Sequence, residues 1–290
     1  MMKTRYIPAA CAAALLLTGC FHEFHETQPG MGYIATALNW EQPEDAATNI
    51  EHIDFAVLGS STSFSKSYAS AEEAAADLLT VPEGEYKLLV TVNMTTENGY
   101  TLEGMPATKA DAGEQDIQVL LKKDGTPLVQ SWFGVSQVSV RDGAIANVRL
   151  PLQRLLSPIS LDITNLPGGA TVQICQSGAA SSITLTQQDA DGRFGVPAPN
   201  NVGLQNISGS ATYLYPTVSN WYHSELILTI ITATGQQLIT IFQAPRVDVG
   251  KRYVVQFDYN ELQPYMFLES SSIGRWEDTW TINGDILNPR

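Results

Sequence analysis

From Tyr33 to the C-terminus, apolar and polar residues alternate with a period of two along short stretches, and each stretch stops at turn residues. That period puts every second side chain on one face of an extended chain, so it describes half-buried β-strands and leaves no room for a helical core. In the first half, strands are expected at Tyr33–Trp40, Ile53–Leu58, Gly84–Asn93, Ile117–Lys122, Leu128–Ser136 and Ala144–Gln153. In the second they are expected at Ile159–Thr164, Thr171–Cys175, Ser182–Thr186, Arg193–Val196, Ser210–Tyr215, Glu225–Thr232, Gln237–Ala244, Arg252–Tyr259 and Thr279–Ile282. One stretch breaks the pattern. Ser70 to Leu79 reads as a helix of about three turns, with Ser70 as N-cap and Glu72 and Glu73 at the positive end of the helix dipole. Many short strands, 22 Gly, 15 Pro and one short helix define an all-β sandwich class. An apolar strand runs from Val148 into Pro158 and a new one starts at Ile159, which places a domain boundary near residue 155. The expected units are an N-terminal β-sandwich over 33–155 and a C-terminal one over 156–290, a length that suits two domains.

The N-terminus carries a different signal. Lys3 and Arg5 precede an apolar run from Ile7 to Leu17, too short to span a bilayer, and the run ends in Leu17-Thr18-Gly19-Cys20. These four residues resemble a bacterial lipobox. The resemblance implies that residues 1–19 are a signal peptide and that the mature chain begins at a Cys20 whose thiol receives lipid, an anchor of several chains with palmitate among them. Residues 20–32, with Pro29, Gly30 and Gly32, are then a lipidated tether. Loss of the signal takes 16 basic residues to 14 against 30 acids, so a formal charge of -14 becomes -16. Such a surface repels nucleic acid, and no basic cluster offsets it. Of the three cysteines, Cys11 leaves with the signal and Cys20 is acylated. Cys175 has no partner for an intramolecular disulfide, so the core must hold the fold; within Ala170–Cys175 it reads as a small buried hydrophobe.

Several segments together resemble the fimbrillin-like lipoproteins of type V fimbriae. Val81-Pro-Glu-Gly-Glu-Tyr-Lys-Leu-Leu-Val90 is similar to a strand of that family's first domain. Val148–Arg154 followed by Ile159–Ile163 resembles its inter-domain crossing, and Val249–Phe257 with Trp280–Ile286 resembles its C-terminal end. The resemblance implies two tandem transthyretin-like β-sandwiches and a surface-exposed lipoprotein at the outer membrane that anchors or builds a fimbria. Its partners would be other fimbrial subunits, met by β-strand exchange, with a host or glycan ligand in addition. In that family, shaft and tip precursors are cut after a basic residue to free a groove, whereas anchor subunits keep their lipid. Between Cys20 and Lys66 there is no Lys or Arg, and two expected strands precede Lys66. A cut there would remove two strands, which favours an uncleaved, anchor-type subunit.

No pattern points to catalysis. There is no Ser-His-Asp order, phosphate-binding loop or paired-cysteine site, and no cofactor or metal is expected. His22 and His25 stand three apart in the tether without a scaffold, and His52 and His223 are isolated. Asp189-Ala-Asp-Gly192 opens like a calcium loop, but Arg193 and Phe194 follow, so a hairpin turn is expected. Tyr213, Tyr215, Trp221 and Tyr222 cluster in sequence and are the candidate partner or glycan contacts; Trp276 and Trp280 read as strand-end packing. A second reading of the whole chain is therefore a glycan-binding surface lipoprotein of a polysaccharide-uptake system. A glycoside hydrolase fits less well, because no carboxylate pair stands out.

Overall fold

The computed structural model describes residues 28–42, 45, 49–107, 115–121, 129–203, 205–207, 213–262, 267–269, 273–274 and 278–281. The lipobox, Cys20, the two tether histidines and Trp276 lie outside the described residues. Alternation does what it predicts: the chain is an all-β sandwich with one short helix. In the first half, β1 (Met31–Trp40), β2 (Ile53–Gly59), β3 (Ser63–Tyr68), β4 (Leu78–Pro82), β5 (Gly84–Val92), β8 (Trp132–Val140) and β9 (Ile145–Arg154) share one curled sheet, in the order β3-β2-β5-β8-β9-β1-β4. The strand β9 joins its two parts. It pairs with β8 only through Trp132↔Arg154 and Phe133↔Gln153, and along the rest of its length it runs parallel to β1, from Tyr33↔Ile145 to Trp40↔Leu152. Gly134 marks the parting point, since a Cβ there would lie 2.4 Å from the Pro151 carbonyl oxygen. Inside the curl, Ile34, Phe55, Val57, Leu88, Leu150 and Leu152 form one core, each residue worth about 1.5–3 kcal/mol on burial.

The second half repeats the device. After buried Leu155 and Leu156, β10 (Ser157–Thr164) runs parallel to β18 (Tyr253–Asp258), so the first strand of this half again lies beside a late one. β15 (Tyr213–Leu214), β20 (Ile273–Gly274) and β21 (Asp278–Thr281) complete that sheet as β15-β10-β18-β21-β20. The facing sheet is β14-β11-β16-β17-β19, built from β14 (Gln205–Ile207), β11 (Thr171–Ser177), β16 (His223–Ile231), β17 (Gln237–Pro245) and β19 (Phe267–Glu269). Leu226, Leu228, Ile230, Phe242, Val255 and Phe257 fill the space between them.

A fourth sheet crosses residue 155. β6 (Thr101–Glu103) and β7 (Gln118–Leu120) pair with β12 (Ser182–Gln188) and β13 (Phe194–Pro197) in the order β13-β12-β7-β6. Beneath it, Leu89, Ile117, Phe133 and Val135 pack with Leu155, Ile183, Leu185 and Tyr215 in one cluster.

The helix is shorter than its sequence suggests. α1 covers Ala71–Ala76, capped by Ser70, whose hydroxyl accepts from the Glu73 amide at 3.1 Å. Leu78 and Leu79, expected to continue it, turn into β4 and pair with Ala35 and Ile34. Burying Leu79 and Val81 on alternate positions of a strand outweighs one further helical turn. The strand expected at Leu128–Ser136 is likewise shifted to Trp132–Val140. Gln130 and Ser131 are tied by side-chain bonds to Leu156 O and Asn93 O instead of joining the ladder.

Candidate functional site

The first strand, β1, is paired along both edges. Its neighbours are β9, parallel, and β4, antiparallel, and Gly32 fits only because it lacks a Cβ, which would meet Arg141 O at 2.4 Å. Just past its end, Asp45 is buried against the end of β9. Its Oδ1 accepts from Arg154 Nη2 at 2.7 Å and Nε at 3.1 Å, and its Oδ2 accepts from Trp132 Nε1 at 2.8 Å. Trp40 meets Trp132 edge-on, with ring centroids 5.5 Å apart.

Lys66, the first basic residue after the tether, lies within β3, opposite Phe55 of β2. Its Nζ is 2.6 Å from Asp77 Oδ2, which also accepts the Tyr68 hydroxyl. Burial pushes the Asp77 carboxyl up, but the bonds from Lys66 and Tyr68 outweigh it and hold the group below its ordinary 3.8. A depressed carboxyl gives stability that is complete above its unfolded pKa and is lost as pH falls through the folded one. Stability is therefore expected to decline below about pH 4. Asp77→Asn should flatten that acid limb in urea titrations at pH 3 and 7; an unchanged limb would show that Asp77 is not its source.

The four candidate aromatics do not form one platform. Tyr215 is buried in the cluster that crosses residue 155, and its amide donates to Gln176 Oε1 at 2.9 Å, so it offers no ring face to solvent. Trp221 and Tyr222 stand on the turn before β16, with exposures of 39% and 89%. Trp221 lies across Gly178, where a Cβ would be 2.8 Å from its ring. Tyr213, half-buried in β15, lines a separate groove of about 490 Å³ whose floor includes the Asp45–Arg154 pair. Sequence reasoning missed this groove because Asp45, Asn49, Asn98 and Tyr213 meet only through long-range pairing.

The remaining candidates are engaged in turn, strand and ion-pair contacts. Asp189–Arg193 is the β12–β13 turn: Asp189 Oδ1 accepts from the amides of Asp191 and Arg193, each at 2.9 Å. The Arg193 guanidinium binds Asp189 and Asp191 at 3.0 Å and approaches Asp248 at 3.7 Å. Cys175 is half-buried in β11 rather than enclosed, because β11 alternates outward at that position; burial still pushes its thiol up. His52 pairs with Asp54 at 3.0 Å. Among the described residues no group of three or more His, Cys, Asp or Glu could hold a metal ion, and no helix is long and apolar enough to cross a membrane.

The fold defines an all-β sandwich protein. No protein-family profile and no curated protein matches the chain. Among solved structures it is similar to the fimbrial anchor protein Mfa2 of Porphyromonas gingivalis, with 14% identity, TM-score 0.46, and 86% of this chain and 95% of that one covered. It is also similar to a fimbrial assembly protein of Parabacteroides distasonis, with 11% identity, TM-score 0.44 and coverage of 80% and 92%. A candidate adhesin of Bacteroides thetaiotaomicron aligns with 11% identity, TM-score 0.49 and coverage of 76% and 82%.

Proposed function

We propose that this chain is a non-enzymatic surface lipoprotein that anchors or assembles a fimbria at the outer membrane, with lipid on Cys20 and other fimbrial subunits as partners met by β-strand exchange. The carrying observation is the place of Lys66. Residues 21–65 hold no Lys or Arg, and Lys66 is paired into β3 and bonded to Asp77. A trypsin-like cut after Lys66 would detach both β1 and β2, and with them Ile34, Phe55 and Val57 of the core. That loss is much larger than the opening of one groove, which supports a subunit that keeps its N-terminus and its tether. Among the described residues β3 and β4 are the outermost strands of the first sheet, the positions at which a strand could be added.

The test is made on intact cells. After trypsin treatment, the outer-membrane fraction should retain an acylated peptide that starts at Cys20 and extends at least to Lys66. Cys20→Ser should release the protein from that fraction. Recovery of protein lacking residues 20–66 in sheared fimbriae would overturn the anchor reading.

A further inference from the structure

We propose that the groove beside Tyr213 is a binding site for a neutral, hydroxyl-rich ligand, a short oligosaccharide. Its volume of about 490 Å³ falls within the range of small-molecule sites, roughly 300–1,000 Å³. The charges of the floor are paired, because the Asp45 carboxylate accepts from Arg154 and Trp132.

The rim sets the ligand class. Asn49 Nδ2 donates to Glu51 Oε1 at 3.1 Å, and Asn98 Nδ2 donates to Asn93 O at 3.0 Å. Each amide thus spends one of its two N–H donors on a neighbouring residue and keeps Oδ1 and the second N–H, and Glu51 keeps Oε2. A rim that sets acceptors beside donors is matched by hydroxyl groups, each of which both donates and accepts. Charge narrows the class further: Glu51 and Arg252 on the rim balance, as do Asp45 and Arg154 on the floor. Among the described lining residues no surplus cation selects a phosphate or carboxylate, and no surplus anion selects an amine. Exposed Val129, Pro158 and the half-buried Tyr213 ring add apolar faces of the kind that lie against the C–H side of a pyranose.

A second observation is independent of the cavity. Asn93 adopts φ +58°, an uncommon conformation for a residue other than glycine. From there its side chain accepts from the Glu51 and His52 amides at 2.9 and 3.2 Å and donates to Asn49 O at 2.9 Å. Its carbonyl accepts from Asn98 and Ser131. One strained residue therefore fixes both rim segments, 49–52 and 95–98, before any ligand arrives. Pre-organisation of this kind removes the ordering cost from binding.

The site is independent of lipidation and of strand exchange, so its test can fail without affecting either. Purified full-length protein is titrated calorimetrically with maltohexaose, xylohexaose, cellohexaose and mannohexaose, with hexagalacturonate as the acidic control. At least one neutral hexasaccharide should bind saturably, with the acid weaker. Asn49→Ala, an exposed change that leaves the Asn93 bonds intact, and Glu51→Gln, which keeps shape but exchanges an acceptor for a donor, should each weaken binding about tenfold or more. Trp221→Ala should leave it unchanged. Absence of saturable binding to all four neutral sugars, preference for the acid, or loss of binding only with Trp221→Ala would overturn the proposal.

Discussion

Arg154→Met should lower the free energy of unfolding by about 3–5 kcal/mol, measured by urea denaturation at neutral pH. The reason is the charge left behind. Asp45 and Arg154 are each 7% exposed, and the guanidinium supplies two of the three hydrogen bonds the carboxylate receives. Without it, a buried carboxylate keeps only the Trp132 indole. Adding Asp45→Leu should recover most of the loss, because an apolar pair of similar volume can replace a buried ion pair. Recovery should stop about 1–3 kcal/mol short, since Trp132 Nε1–H then has no acceptor. A loss below about 1 kcal/mol in the single variant, or additive losses in the double, would show that the pair is not closed off from water.

Gly195→Val should be nearly as damaging, by about 2–5 kcal/mol. Gly195 has φ +96°, and a Cβ there would lie 2.7 Å from Phe133 Cζ. Phe133 is fully buried and cannot move aside. The variant combines backbone strain with an overfilled joint, and the β12–β13 hairpin should lift away from β8. The Gln153 Nε2 bond to Phe194 O, 3.2 Å long, would be lost with it. Limited trypsinolysis supplies a local readout: cleavage after Arg193, at present held by Asp189 and Asp191, should accelerate. Wild-type stability together with wild-type cleavage would contradict this account of the joint.

The long strands were legible because each buries one face. β1, β2, β5, β9, β16 and β17 fall where alternation places them, within one or two residues. β6, β14 and β19 are three residues long, too short to display a period. β4 was hidden by an Ala-rich run of high helix propensity, which tertiary pairing with β1 overrides at Leu78. Pairing itself is not written locally. Nothing near Tyr33 announces Ile145, and nothing near Val119 announces Ile183. The same limit hid the groove. Tyr213 was visible as an aromatic among aromatics, but what separates it from Tyr215 is that Tyr215 is buried and Tyr213 only half-buried. The Asp45–Arg154 bond beneath it spans 109 residues.

The two parallel pairings have a mechanical consequence. A pull applied ahead of Met31 draws β1 backwards, while β9, which leads directly into β10, is drawn forwards by the second half. Because β1 and β9 are parallel, the eight register positions from Tyr33↔Ile145 to Trp40↔Leu152 are sheared together instead of opened one at a time. The same geometry recurs from Ile159↔Tyr253 to Thr164↔Asp258, where β10 takes the load from the first half and β18 lies alongside. Tension along this chain therefore meets two shear clamps in series, and the force needed to extend either is set by a whole ladder of hydrogen bonds breaking at once.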